Sequence, residues 1–327
     1  MVGIKDIAKQ AGVSISTVSY ALNGSPKVTE KTRERILKIA SELNYVPNMA
    51  ARTLKTRETK IIGAYLANYG GAFYGPLLDG LRETLRALDY ELIACSGEKA
   101  QRFLPERMID GAIVLDATFT SEAMKNYADR GHKLVVLDRE IEHANIRQVL
   151  LDNRAGATLA VDYLKKGFHG DFYVLTGPPN SFDGKVRLET ALQELKRFER
   201  QGDRIHVIEG DFEESSGEQA AAQIAAEWKA PVSIFSLNDN MAIGMYRYFT
   251  KAGLEIGRDV RIIGFDNRDI GEYLTPRLAT VDYSKYKWGS VAAEKLVKLL
   301  HNEPTDNEII YTSIIKGGSV NPPIISR

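Results

Sequence analysis

From residue 61 onward the chain alternates between short continuous apolar runs and longer amphipathic stretches. The runs are IIGAYLA, YELIACS, GAIVLD, KLVVLD, QVLLD, FYVLTG, RIHVIEG, SIFSLND and VRIIGFD. A strand that is apolar throughout must be covered on both faces, the condition of a parallel sheet flanked by helices. The stretches between the runs supply those helices. Residues 77–88 set Leu77, Leu78, Leu81, Leu85 and Leu88 on a helical period, and 154–166, 184–200, 217–229, 240–252 and 286–301 read the same way. There are too many strands for one compact sheet of this type. The pattern predicts an α/β core of two doubly wound parallel-sheet subdomains, with a ligand cleft beyond the carboxyl ends of the strands.

The first sixty residues differ. Ile4, Ile7, Ala8 and Ala11 mark one face of a helix, which Gly12-Val13-Ser14 interrupts. Ser14 is a good N-cap for a second helix over 15–22, with Val18, Ala21 and Leu22 inward and Ser16, Thr17 and Tyr20 as an outward polar stripe. Asn23-Gly24-Ser25-Pro26 is a turn, and a third helix from Thr29 or Glu30 carries Ile36, Ala40 and Leu43 inward. Three short helices with a Gly-containing break make an all-α helix-turn-helix head. Residues 48–55 are helical in composition but only two turns long, marginal for an isolated helix in water.

Charge separates the two parts. The chain is neutral overall, but residues 1–60 hold eleven Lys/Arg against five Asp/Glu, so the remainder carries a net −6. A basic head on an acidic body suggests a nucleic-acid module joined to another unit. At 44% apolar and 26% charged residues, the chain can bury a sizeable core and is not generally disordered. The single cysteine, Cys95, forms no internal disulfide or Cys-based metal cluster, and a reducing cytoplasm is expected. No apolar run approaches membrane-spanning length and the N-terminus has no apolar h-region, so neither membrane association nor secretion is expected. No catalytic or metal site is expected either. His132, His143, His169, His206 and His301 lack metal-ligand spacing, GGAFYG at 70–75 is not a dinucleotide fingerprint, and neither a P-loop nor a GxSxG elbow is present.

The segment IKDIAKQAGVSISTVSYALNG, followed by VTEKTRERILKIASELNYVPNMAARTLK, resembles the head of LacI-type bacterial transcriptional regulators. The resemblance continues through TGP at 176–178, LNDNMAIG at 237–244, IIGFDN at 262–267, YLTPRLATV at 273–281 and WGSVAAEKLVKLL at 288–300. It implies a core like that of a periplasmic sugar-binding protein, cleft included. The domains expected are a helix-turn-helix head over 1–46, a hinge helix and linker over 47–59, and an effector-binding and dimerisation core over 60–327. Within the core, 60–151 plus 286–316 form one subdomain and 152–285 plus 317–327 the other.

The resemblance implies a homodimer on double-stranded, pseudo-palindromic operator DNA, held through the helix around 77–90 and the region 270–281. The tail IISR has no leucine heptad, so no tetramerising extension is expected. Ser14, Ser16, Thr17, Tyr20 and Asn23 are the candidate major-groove contacts. Where the family commonly has arginine this chain has Tyr20, which predicts an altered base preference. In family members the leucine equivalent to Leu54 wedges into the minor groove, with Arg52 and Lys55 beside it for phosphates or groove edges. Ala50 and Ala51 are small enough to let two hinge helices approach.

No cofactor is implied, but a small-molecule effector is. Phe73, Tyr74, Asp138, Arg139, Arg187, Phe212, Asn238, Asp266 and Tyr283 are its candidate contacts, with Lys285 nearby. Carboxylates, amides and an arginine between aromatic faces suit a sugar. The segment 96–110 is shorter than the family usually has. That predicts a truncated helix, an opened cleft wall, and Arg102, Glu106 and Arg107 within reach of the ligand. The expectation is a cytoplasmic, nucleoid-associated repressor of a carbohydrate-utilisation operon released by a sugar. Two alternatives stand beside it. One is a purine or nucleoside corepressor stacked on Phe73 and Tyr74. The other is a phosphorylated carrier protein docked near the Tyr-x-x-Gly opening at Tyr286 and Gly289.

Overall fold

The computed structural model describes residues 2–46, 58–70, 72–197 and 199–320. The chain divides into two compact units at Thr59–Lys60.

Among the described residues, the first unit holds three helices: α1 (Ile4–Ala11), α2 (Ile15–Leu22) and α3 (Glu30–Glu42). Gly12 ends α1 in the left-handed region (φ 62°), a conformation costly for any residue with a Cβ, and its N–H returns to the last turn. Ser14 then caps α2, its hydroxyl oxygen accepting from the Thr17 N–H at 3.1 Å. Ile7, Ala8, Ala11, Val18, Ala21, Val28, Ile36 and Ala40 form the buried core, with Leu22 and Leu43 packed at its edge. The inward faces expected from periodicity meet there.

The second unit contains two six-stranded sheets. The first runs β11-β5-β4-β3-β1-β2, all parallel, from β1 (Ile61–Leu66), β2 (Glu91–Cys95), β3 (Gly111–Leu115), β4 (Lys133–Val136), β5 (Ile146–Leu151) and β11 (Glu308–Ile310). The second runs β12-β10-β9-β8-β6-β7, from β6 (Asp171–Leu175), β7 (Arg204–Ile208), β8 (Val232–Ser236), β9 (Val260–Phe265), β10 (Ala279–Asp282) and β12 (Ser313–Ile315). Only β12 is antiparallel to its neighbour, β10. Helices α4 (Tyr74–Ala87), α5 (Ser121–Asp129) and α10 (Lys285–Leu300) flank the first sheet. Helices α6 (Asn153–Lys165), α7 (Phe182–Arg197), α8 (Glu214–Glu227) and α9 (Asp239–Lys251) belong with the second.

The chain passes between the sheets three times, at Asp152, between β10 and α10, and between β11 and β12. The last passage corrects the expected boundary at 316: β12 pairs Ser313 with Asp282 in the second sheet, so the crossing falls at 311–312. Trp288 anchors α10 to the first sheet by donating its indole N–H to the Val149 carbonyl at 2.6 Å. Helices α4 and α10 approach closely because both are glycine at the contact. A Cβ on Gly80 would lie 2.1 Å from the Tyr286 carbonyl oxygen, and one on Gly289 2.2 Å from that of Leu77.

Segment 96–110 is indeed short of an α-helix, forming a 3-10 turn over Glu98–Phe103. Leu104 and Ile109 sink into a cluster with Tyr65, Phe119 and Met124, and the Tyr65 hydroxyl donates to the Ala100 carbonyl at 3.0 Å. Arg102, Glu106 and Arg107 are absent from the cleft lining.

Candidate effector cleft and DNA-facing helix

Between the two sheets lies a cavity of about 320 Å³, within the size range of small-molecule sites. Its walls are the segments that follow strand ends. Asn68 follows β1, Asp116 β3 and Asp138 β4 on one side. The other side is built by Asp183 and Arg187 on α7, Phe212 after β7, Asn238 after β8 and Asp266 after β9. Parallel sheets place their ligands in this position.

Arg187 is the buried centre of the floor. Its Nε donates to Asn153 Oδ1 at 2.7 Å and its Nη1 to the Leu237 carbonyl at 2.8 Å. Asp266 Oδ1 lies 3.8 Å from Nη1, and the guanidinium stacks 3.6 Å above the Phe265 ring centroid. Asn153 in turn donates to Asp183 Oδ1 at 2.7 Å, so one asparagine at the start of α6 fixes both an arginine and a carboxylate. Asp183 sits one helical turn before Arg187 on α7. Desolvation pushes its carboxyl up to about 7 against the pull of Arg187, and Asp138 adds repulsion. Desolvation also raises Asp138 and Asp266, outweighing their cationic neighbours. It raises the Tyr74 phenol to about 12, with Asp116 adding to the effect. Phe212 and Asp266 both hold positive φ, 72° and 108°, strain of the kind that collects at functional sites.

The cleft brings together Phe73, Tyr74, Asp138, Arg187, Phe212, Asn238 and Asp266. Phe73 and Tyr74 meet edge to face at 5.0 Å. Asn238 also caps α9, its Oδ1 accepting from the Met241 N–H and its amide donating to the Phe212 carbonyl. Two expected contacts lie behind the wall instead. Arg139 gives Nε and Nη2 to the two Asp138 oxygens and Nη2 to the Asp116 carbonyl, which turns its fork away from the cavity. Its guanidinium stacks at 4.4 Å on Phe182 of the opposite wall. Tyr283 is buried and donates its hydroxyl to Asp266 Oδ1 at 2.8 Å. Lys285 donates to the Asp266 carbonyl from beneath.

Asn68, Asp116, Phe182, Asp183 and Arg268 line the cleft without having been expected there. Asp116 ends GAIVLD as Asp138 ends KLVVLD, so the same strand-end signal marks it. Asp183 was signalled by its i, i+4 relation to Arg187. Among the described residues, no three or more His, Cys, Asp or Glu side chains group as metal ligands.

In the head, Ser16 is exposed, and Tyr20 is half-buried with Lys27 Nζ 5.1 Å from its ring centroid. Thr17 Oγ1 and Ser14 Oγ lie 2.8 Å apart within the cap, so these two hydroxyls serve the helix start. The Asn23 amide donates to the Ser19 carbonyl at 2.7 Å and closes the helix end. Arg52, Leu54 and Lys55, with the rest of 47–57, lie outside the described residues.

A helix-turn-helix head on a two-sheet, cleft-bearing core defines a ligand-responsive DNA-binding regulator. The model described as "Bacterial regulatory proteins, lacI family" matches residues 3–48, and that of a periplasmic binding protein-like domain matches 161–320. The HTH-type transcriptional repressor PurR of Vibrio campbellii is 30% identical over 318 residues, covering 94% of this chain and 95% of its own. A probable HTH-type transcriptional repressor of Bacillus subtilis, ExuR, is 30% identical over 317 residues, 95% of each chain. A crystal structure of a sugar-binding LacI-family regulator from Enterococcus faecalis is 48% identical, with a TM-score of 0.76 over 81% of this chain and 99% of that one. The Lac repressor dimer bound to operator shares the fold, with a TM-score of 0.84 over 98% of this chain and 99% of that one at 24% identity. The chain belongs to the LacI family of bacterial transcriptional regulators.

Proposed function

We propose that the protein is a repressor that binds a pseudo-palindromic operator as a homodimer and is released when a sugar occupies the cleft. The carrying observation is the wall chemistry. Arg187, Asp183, Asp116 and Asp266 supply directed polar groups, and Phe73, Phe182 and Phe212 supply apolar faces. The Enterococcus faecalis relative described as sugar-binding supports the same reading. Leu88, Ile270 and Tyr273 are exposed at 39%, 45% and 83% in the segments assigned to the dimer contact, which supports pairing there. Ser16 and Tyr20 would read base edges, and residues 48–55 would fold as paired hinge helices in the minor groove.

A purine corepressor is the second reading, favoured by the Phe73–Tyr74 pair. A thermal-shift screen of mono- and disaccharides against purines and nucleosides separates the two. A ligand at 100 times its Kd adds about 2.7 kcal/mol of stability. A sugar response supports the inducer reading. A response to purines alone replaces it and reverses the sign of control.

A further inference from the structure

We infer that the effector of this cleft carries no negative charge: it is an uncharged or amine-bearing polyol that donates hydrogen bonds to carboxylates, and uronic acids and sugar phosphates are excluded. The inference rests on the effector reading above and deepens it.

Six carboxylates line the cavity, Asp116, Asp138, Asp183, Asp211, Glu213 and Asp266, against two guanidinium groups, Arg187 and Arg268. The cations are partly engaged. Arg187 gives Nε and Nη1 to Asn153 and the Leu237 carbonyl, and Arg268 gives Nη1 to Asn240. Behind the walls, Arg139 is committed to Asp138 and Lys285 to the Asp266 carbonyl. Arg187, Arg139 and Lys285 offer no intact side-on fork to the cavity, and the Nε–Nη2 edge of Arg268 is a single guanidinium edge set against six carboxylates.

The carboxylates, by contrast, keep acceptors in hand. Asp116 Oδ1 takes both donors of Thr118, Asp183 Oδ1 takes the Asn153 amide, and Asp266 Oδ1 takes Tyr283. The second oxygen of each has no protein donor among the described residues. One of these acceptors belongs to the wall of the first sheet and two to that of the second, so a donor-rich ligand would bridge the walls. The Asp183 carboxyl is raised to about 7 chiefly by desolvation, with repulsion from Asp138 and Asp266 adding to it. An anionic ligand would add to that repulsion, whereas hydroxyls or an ammonium relieve it.

The test is calorimetric titration of the full-length protein at neutral pH and fixed ionic strength with matched series. Each pentose, hexose or disaccharide is offered in neutral, amino, uronic acid and phosphate forms, and each nucleobase beside its nucleotide. The inference predicts that every sugar bound is neutral or amine-bearing, with its anionic counterpart weaker by about tenfold or more. It also predicts that Asp183→Asn, which keeps the acceptor for Asn153, narrows that gap. A uronate or phosphate as the tightest member overturns the inference and leaves the effector reading standing. A nucleobase preferred to its nucleotide, with no sugar bound, overturns the sugar reading and the polyol assignment and leaves only the exclusion of negative charge standing. Absence of binding by every member contradicts both.

Discussion

Asp183 couples the cleft to stability as well as to ligand. Its carboxyl rises from an ordinary 3.8 to about 7 on folding. Between those values the folded protein holds more protons than the unfolded chain, so this group makes stability fall as pH rises from about 4 to about 7. Asp183→Asn is therefore expected to raise Tm at pH 8 relative to wild type, with the difference vanishing toward pH 4. Melting curves across that range check it. In the head, Tyr20→Arg is expected to shift the preferred base at one operator position toward guanine, because arginine can pair bidentately where a phenol offers one hydroxyl. Selection of binding sites by both proteins decides this, and an unchanged preference contradicts it. Asp138, Asp266 and Arg187 were legible through the family resemblance, whereas Asp116, which ends its apolar run in the same way, was passed over. Whether a side chain faces the cavity or braces a neighbour was not legible. Arg139 turns onto Asp138, and Tyr283 onto Asp266, through contacts that depend on the assembled sheets.

At the level of elements, the α4–α10 crossing depends on two absent side chains. Gly→Ala on a helix normally gains about 1 kcal/mol from propensity. Here the added Cβ of Gly289→Ala would meet the Leu77 backbone, which cannot yield, so overpacking of about 1–3 kcal/mol or more prevails. Chemical denaturation should show a lower midpoint at similar slope. The hinge helix proposed for residues 48–55 would be two turns long, so its folding would depend on DNA. Hydrogen exchange is expected to find residues 48–55 unprotected in free protein and protected on operator DNA. Equal protection in both states would contradict the switch. All nine apolar runs became strands, seven of them largely buried, whereas β2 and β7 lie at the sheet edges and are mostly exposed or half-buried. Helix α5 was missed because nine residues with only Met124 and Ala128 buried give too short a period to detect. The late strands β10, β11 and β12 were missed because three or four residues each are stabilised by pairing rather than by pattern.

Across the core unit, three crossings join two sheets whose facing strand ends make one cavity. Two of the joints touch the site directly. Asn153, just after the first crossing, holds Arg187 and Asp183, and Tyr283 and Lys285, at the second, hold Asp266. Arg139 and Phe182 meet across the opposing walls. A ligand that bridges the walls therefore acts on the groups that set the angle between the sheets, and differential affinity for two angles is what allostery requires. The most direct measurement is fluorescence anisotropy of an operator duplex, selected by the protein from random DNA, titrated with and without the sugar identified by the screen. The account predicts that saturating sugar weakens DNA binding by about 5–150-fold. It also predicts that Arg187→Lys binds the duplex normally but loses that response. DNA affinity unchanged by saturating sugar would contradict it, as would an undiminished response in Arg187→Lys.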